Sequence, residues 1–570
     1  MDWMAKQSAQ KKLDRVRPPR VQIGYDVEIG DAIERRELPF ELLILADLSG
    51  QAESPQPLRD RKLVDIDLDS FDDVLSKYAP RLAFEVPNKL GRDEPTLAIE
   101  LRFGRLDDFA PGRVANQIEP VKNALNERCD LLSRIIEADN REIASIQNRI
   151  DLIDTLLSDQ INEIMHSPPF QRLEATWRGL HFLVTHTETG SALRLKVLDA
   201  SKRDLSRDFQ RSADSARTAL FKLVYEEEYG TFGGNAIGVM IGDYEVGREP
   251  LDIELIDQLS HIAAAAHAPL IAGAGPSLFS VDNFADLGSA RDVSNVFDTI
   301  EYARWRSFRQ SQDASYIGLV LPRILLRRPY GGANPIEEFN FQERTERHYD
   351  WLWGNASYAL GVCLTNAFAK FGWCAAIKGV EGGGLVEGLP TGTFVTEYGD
   401  AATKCPVEIA LSDRREVELA HLGFIPLLHL KGTDCAAFFS MQTCQKPQSY
   451  ENAAANANAR LSTQLQYVLT LSRFAHYFKC MVRDRLGSFM SRADCENWLN
   501  AWLANYVTRE DGLSIADKAR YPLREGRVDV TEVPGKPGVY RAVAFLRPHF
   551  QLDELSVSMR VVVELPAVEH

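Results

Sequence analysis

The run IGVMIGDY, Ile237 to Tyr244, is followed by a helix-patterned segment from about Pro250 to Ala266 and then by a second apolar run, APLIAGA, Ala268 to Ala274. Short apolar runs bounded by turn residues read as strands buried on both faces. Two such strands joined by a helix are predicted to lie parallel with a right-handed crossover, since parallel neighbours need a long connection. This stretch sets the class as α/β at the centre of the chain, with Leu193, Leu195 and Val197 as a further strand before it.

Towards both ends the pattern changes to period two. Val21, Ile23, Tyr25, Val27 and Ile29 alternate with more polar residues, as in a strand with one buried face, and this strand stands apart from the rest of the N-terminal region. The run Leu42 to Leu45 ends at Asp47-Leu48-Ser49-Gly50, and Leu97, Ile99, Leu101 and Phe103 alternate again, giving a small α+β domain that ends near Pro111. From about Gln117 to His166 one long helix is expected. Its stripe is Ile143, Ile146, Ile150, Ile153, Leu157, Ile161 and Ile164, packed on its own domain or, alternatively, on another subunit, and Ser167-Pro168-Pro169 ends it. Near the C-terminus, helices dominate from about Ala455 to Val507. Val528 to Val533 and Val539 to Leu546 then flank a Pro-Gly-Lys-Pro-Gly turn, and Leu555, Val557, Met559, Val561 and Val563 form a last alternating strand. Half-exposed strands at the two ends, with nothing obvious to pair with, are candidates for adding to a sheet in a neighbouring molecule.

Composition narrows the function. The 570 residues include 45% hydrophobic and 26% charged residues, an ordinary globular balance long enough for roughly three or four domains. A net charge of −16 argues against wide contact with nucleic acid, which relies on Lys and Arg to displace counterions. No run approaches the roughly 18 apolar residues of a membrane helix, and MDWMAKQSAQKKLDRVRPPR has no signal-peptide core, so the chain reads as cytoplasmic, without membrane insertion. Eight cysteines without a C-x-x-C pair fit neither a zinc site nor a disulfide framework and read mostly as reduced core residues.

Candidate chemistry fails on spacing. KGVEGGGLVEGLP, Lys378 to Pro390, is glycine-dense, but Glu387 stands where a dinucleotide fingerprint counted from Gly382 and Gly384 needs glycine, and Pro390 comes where a phosphate-binding helix would start. Gly382, Gly383, Gly384 and Gly388 therefore read as a structural loop that allows a turn or close backbone approach. Asp65-Ile66-Asp67-Leu68-Asp69 lacks the turn glycine and closing glutamate of a calcium loop. His261 and His267 have no carboxylate motif between them, and no G-x-S-x-G elbow exists. No catalytic, metal or cofactor site is expected, and assembly is the better reading than turnover.

Longer stretches carry a resemblance. Arg17-Pro18-Pro19-Arg20-Val21-Gln22-Ile23, ELPFELLILADLSG (Glu37 to Gly50), LRDRKLVDIDLDSFDDVL (Leu58 to Leu75) and APRLAFEVPNKL (Ala79 to Leu90) resemble the small sheath subunit of the bacterial type VI secretion system, TssB or VipA. From about Ile143 onward the chain resembles its large partner, TssC or VipB. The matching stretches include FQRLEATWRGLHFLV (Phe170 to Val184), LFKLVYEEEYGTFGG (Leu220 to Gly234), IGDYE (Ile241 to Glu245), EYARWRSFRQSQDASYIGL (Glu301 to Leu319), SRFAHYFKCMVRDRLGSFM (Ser472 to Met490) and YRAVAFLRPHFQLDELSVSMR (Tyr540 to Arg560).

The resemblance implies a mixed α/β and α+β, multi-domain, contractile tail-sheath-like protomer with terminal strands exchanged between subunits. Its expected divisions are an arm at 1–30, a small-subunit-like domain at 31–130, a connecting helix at 131–169, a large-subunit-like α/β domain at 170–400 and a C-terminal sheath domain at 401–570. It implies a helical homo-polymer around an inner tube of Hcp-type rings, on a baseplate, in the cytoplasm. The family's subunits are usually separate chains, and the large-subunit segment associated with the recycling AAA+ ATPase ClpV is shortened here, which leaves ClpV binding open. A sheath of another phage-tail-like particle, and a nucleotide-binding α/β enzyme built on Ile237 to Pro276, remain as alternatives at this point.

Overall fold

Strands that read as continuous apolar runs need cover on both faces, and the architecture supplies it. The computed structural model describes residues 24–549 apart from 30–31, 92–94, 136–139, 213–214, 232, 289–291, 333, 392, 396–400, 485–490, 511 and 533–539. The described chain opens on a hairpin of β1 (Gly24–Ile29) and β2 (Ala32–Glu37) and continues into β3 (Phe40–Ala46). The short β4 (Val64–Ile66) and α1 (Phe71–Tyr78) lead to a second hairpin, β5 (Arg81–Pro87) and β6 (Thr96–Arg102). Helices α2 (Glu119–Ile135), α3 (Asn140–Met165) and α4 (Pro168–Thr185) then run to β7 (Leu193–Asp199). The predicted β-α-β unit comes next as β8 (Ile237–Val246), α5 (Pro250–Ala266) and β9 (Leu270–Ala274). After it come β10 (Ile317–Leu321), α6 (Ser357–Phe371), β11 (Leu385–Val386), β12 (Ile425–His429) and β13 (Ala436–Phe438). The C-terminal part is α7 (Leu465–Asp484), α8 (Arg492–Ala504), α9 (Ile515–Arg520), β14 (Leu523–Glu532) and β15 (Tyr540–Pro548).

Among the described residues the main sheet has nine strands in the order β11-β13-β12-β10-β9-β8-β3-β7-β4. β7, β3, β8, β9, β10 and β12 run parallel; β4 pairs antiparallel with β7 at one end, and β13 pairs antiparallel with both β12 and β11 at the other. Leu42 and Ile44 of β3 face a core shared with Trp177 and Leu183 of α4 and Tyr358 and Leu364 of α6, while Leu43 and Leu45 face Ile256, Leu259 and Ile262 of α5. All four β3 side chains are fully buried, each contributing roughly 2 kcal/mol. A third cluster, Trp373, Phe474, Tyr477, Leu499, Trp502, Val528 and Val530, joins α7 and α8 to β14 and takes in Leu38 from the far end of the chain.

Three expectations change. The sheet crosses the boundaries expected at 130 and 400: β3 comes from the 31–130 segment and β12 and β13 from the 401–570 segment, so neither boundary separates two cores. The one long helix is two, α2 and α3, folded back so that Arg149 pairs with Glu127 (2.8 Å) and Arg128 with Asp154 (2.5 Å). The apolar stripe packs into the main core towards the C-terminal end of α3, with Ile150, Ile153, Leu157, Ile161 and Ile164 buried. Finally, the first strand does not stand apart. It pairs antiparallel with β2, Gly24 opposite Glu37 and Ile29 opposite Ala32.

Candidate assembly interface

The parts that could join copies lie at the two ends of the fold. At the N-terminal end, Tyr25, Val27 and Ile29 belong to β1, whereas Val21 and Ile23 lie outside the described residues. The β1–β2 pair is a two-stranded sheet of its own, so pairing with β2 occupies one edge of β1. The chain enters the body at Leu38 and Pro39, whose carbonyls accept hydrogen bonds from the guanidinium of Arg473 on α7. Arg473 is 4% exposed and lies 5.8 Å from the ring centre of Phe40 and 5.6 Å from that of Phe368. A buried cation held by carbonyls and aromatic faces clamps the root of the arm.

At the C-terminal end, β14 and β15 form an antiparallel pair with Val528 opposite Ala544 and Val530 opposite Ala542. The outer edge of β14 is closed by side chains of α8. Asn500 donates to the Val528 carbonyl (2.7 Å) and accepts from its N–H (2.9 Å); Glu496 accepts from the Val530 N–H (3.1 Å), and Arg492 donates to its carbonyl (2.9 Å). Residues 492, 496 and 500 are one helical turn apart, so they rise along one face of α8 at nearly the spacing the strand requires. Because Val528 and Val530 turn their main-chain groups outward, Ala544 and Ala542 opposite them do the same on the other side. No described residue bonds those groups. Among the described residues the β15 edge is thus open, and Val543 and Phe545 beside it are 38% and 54% exposed. Leu555, Val557, Met559, Val561 and Val563 lie outside the described residues.

Sequence reasoning missed the α8 cap, although its signal, Arg, Glu and Asn at four-residue spacing facing a valine-rich strand, is present. The glycine loop is a close-approach turn in its geometry. Gly383 has φ +90° and a side chain there would come within 2.4 Å of the Ala376 carbonyl; one at Gly384 would come within 2.6 Å of the Phe438 carbonyl. Gly384 bonds Phe438 so that β11 can pair with β13, Gly388 has φ +71°, and the Gly382 carbonyl accepts from Lys378.

A cleft of about 680 Å³ opens at the carboxyl ends of the parallel strands, where an α/β enzyme would hold its ligand. Several of its polar groups are paired: Arg323 with Glu245 (2.5 Å), Lys202 with Asp252 (2.5 Å), and Thr176 Oγ1 donates to Asp243 (2.6 Å). Burial raises the Asp243 carboxyl to about 6 against that hydrogen bond. His261 bonds Asp313 (2.7 Å) and His267 bonds Tyr316 (3.1 Å), ordinary pairings on α5. The thiols of Cys363, Cys374 and Cys444 are buried and pushed up to about 12 by that burial. No described helix is long and apolar enough to cross a membrane.

The two halves are welded by polar contacts as well as by the sheet. Asp199 of β7 accepts from the N–H of Leu48 (2.9 Å) and the hydroxyl of Ser49 (2.5 Å), and Trp177 Nε1 donates to the Leu48 carbonyl (3.1 Å). Glu41 of β3, fully buried, lies 2.9 Å from Lys196 of β7. Beneath α4, Arg327 bridges the buried carboxylates of Glu174 (2.8 Å) and Glu343 (2.6 Å), and His166 lies 3.5 Å from Glu343.

Comparison with known proteins accounts for this arrangement. The family model described as "EvpB/VC_A0108, tail sheath N-terminal domain" matches residues 147–445, and that of its "gpW/gp25-like domain" matches 454–565. The model "Type VI secretion system, VipA, VC_A0107 or Hcp2" matches 13–163 and overlaps the first on α3. The type VI secretion system sheath protein TssC1 of Pseudomonas aeruginosa is 44% identical over 472 residues, covering 81% of this chain and 94% of that protein. TssB1 of the same organism is 40% identical over 135 residues, covering 24% of this chain and 78% of that protein. A chain in the cryo-EM structure of the anti-feeding prophage baseplate aligns over 68% of this chain and 81% of its own length at 10% identity and a TM-score of 0.37, a likeness too slight to bear on function. The chain therefore belongs to the type VI secretion contractile-sheath family, carrying small-subunit and large-subunit sequences in one polypeptide, and its role is structural.

Proposed function

We propose that each chain is a complete building block of the sheath and is tied to its neighbours by strand exchange. The arms are Val21 to Ile29 and Leu555 to Val563, and the acceptor is the open β15 edge of another copy. The observation that carries this reading is the one-sidedness of the β14–β15 pair, with β14 shut by Arg492, Glu496 and Asn500 and β15 left bare. Main-chain hydrogen bonds to such an edge hold an incoming strand with little demand on its side chains.

In this reading the sheath assembles in the cytoplasm on a baseplate, around an inner tube of Hcp-type rings, in an extended state of higher free energy. Contraction exchanges one packing of protomers for another. Each protomer gains only a few kcal/mol, as is usual between two packings, and the column sums these gains to drive the tube outward. The chain itself hydrolyses nothing. Disassembly by a ClpV-type ATPase would have to use a recognition segment other than the shortened one. Electron microscopy of the purified full chain tests the proposal: helically ordered tubes are expected, and monomers without tubes under every assembly condition would overturn it.

A further inference from the structure

The main sheet ends at β4, and that edge carries opposite charge at its two ends. Beyond the carboxyl end of β7 lies the helix Lys202–Arg211, with the sequence Lys-Arg-Asp-Leu-Ser-Arg-Asp-Phe-Gln-Arg. Its acidic side chains are used inside the molecule: Asp204 pairs with Arg61 (3.1 Å), and Asp208 accepts from the Ala219 N–H (2.8 Å). Arg203, Arg207 and Arg211, four residues apart and so on one face, are exposed and make no hydrogen bond or ion pair among the described residues. β4 runs antiparallel to β7, Asp65 opposite Lys196, so the chain leaves β4 towards the amino end of β7. There Asp69, Asp72 and Asp73 are exposed beside Leu68, which is 59% exposed, and none of the three has an ion pair among the described residues. Lys77, one turn on from Asp73 in α1, makes none with them. The seven residues of β7 set the two groups roughly 20 Å apart, too far to meet within one chain.

We infer that the two groups meet between copies: the arginine stripe of one chain docks on the Asp69, Asp72 and Asp73 patch of a second copy. Charge complementarity selects that occupant. In a chain of net charge −16, three outward arginines without partners are matched on the same edge by three outward aspartates without ion pairs. Guanidinium forks fit carboxylates, and the apolar stems of the arginines cover Leu68. The two surfaces differ, so the contact is head-to-tail. Each copy offers its stripe to one neighbour and its patch to another, which propagates as an open helix instead of closing as a dimer. Exposed ion pairs are individually weak, so such a contact sets the order of neighbours and is easily remade in another packing. It uses no arm and is independent of strand exchange; from the sheath reading it takes only that copies assemble.

Carbodiimide coupling in the full chain tests the contact. After Arg207→Lys, an equal mixture of isotope-labelled and unlabelled protein should give zero-length links from position 207 to Asp69, Asp72 or Asp73 across differently labelled chains. Links confined to one chain, links from position 207 only to other acids, or no links would overturn the inference. A charge exchange supplies the second measurement. Arg203→Glu, Arg207→Glu and Arg211→Glu together should raise the concentration needed for assembly roughly tenfold or more, because attraction becomes like-charge repulsion. Asp69→Lys, Asp72→Lys and Asp73→Lys together should do the same, and a chain carrying both sets should return close to the unmodified value, since a reversed stripe then meets a reversed patch. Assembly unchanged by either set, or no recovery in the chain carrying both, would overturn the inference. Because coupling is read between pairs of chains and needs no tube, its failure is distinguishable from failure of the sheath reading.

Discussion

Glu343 shows what a partner does for a buried charge. Burial alone would raise its carboxyl, but Arg327, the neighbouring His166 and the hydrogen bonds from Arg327 and the Tyr330 N–H outweigh it and bring the group down to about 2, against 4.5 when unpaired. A carboxyl lowered on folding stabilises the fold fully above its unfolded value and loses that contribution as pH falls through the folded one. We therefore expect about 3 kcal/mol to disappear between roughly pH 4.5 and 2, and Glu343→Gln to flatten that acid limb while lowering stability at pH 7. Denaturant melts of unassembled protein across this range would check it, and an acid limb of unchanged slope in the variant would count against it. None of this network was legible in the sequence. Glu174 and Arg178 share a helical face and could be paired by spacing, but Arg327 and Glu343 reach Glu174 only through the fold.

At the scale of elements, the α8 cap gives a sharp expectation. Asn500→Leu leaves the Val528 N–H and carbonyl without partners, at a cost of about 1–3 kcal/mol, and bares a strand edge next to apolar residues. Size-exclusion chromatography should show irregular association in place of ordered tubes; a monodisperse, equally stable variant would argue that the cap is ornamental. The β-α-β unit was legible because its apolar runs and helix length leave one solution. β2 was not, because Ala-Ile-Glu-Arg-Arg-Glu has the charges of a loop and becomes a strand only through its pairing with β1. The break between α2 and α3 was hidden because neither proline nor glycine stands between Ile135 and Asn140. The partner strand of the glycine loop, β13, lay too far along the chain to be inferred.

For the whole molecule, the position of β3 matters most. A strand from the small-subunit-like half lies between β7 and β8 of the large, with Leu42 to Leu45 fully buried, so the large half alone would expose the middle of a sheet. Cutting the chain between α2 and α3 should therefore give two pieces that copurify when made together, whereas residues 140–570 alone should aggregate. A soluble, monomeric 140–570 piece would mean that the sheet can close without β3. The period-two strands at the chain ends point to assembly from sequence alone, whereas the edge we propose as their acceptor could be named only once α8 was placed on β14.

The most direct measurement of the strand-exchange account is electron microscopy of a chain lacking Met1 to Gly30 beside the full-length chain. Loss of β1 removes an arm and no part of the main sheet, so the shortened protein should keep its thermal transition and helix content yet form no cohesive tubes. Tubes of normal length and order from the shortened chain would contradict the account.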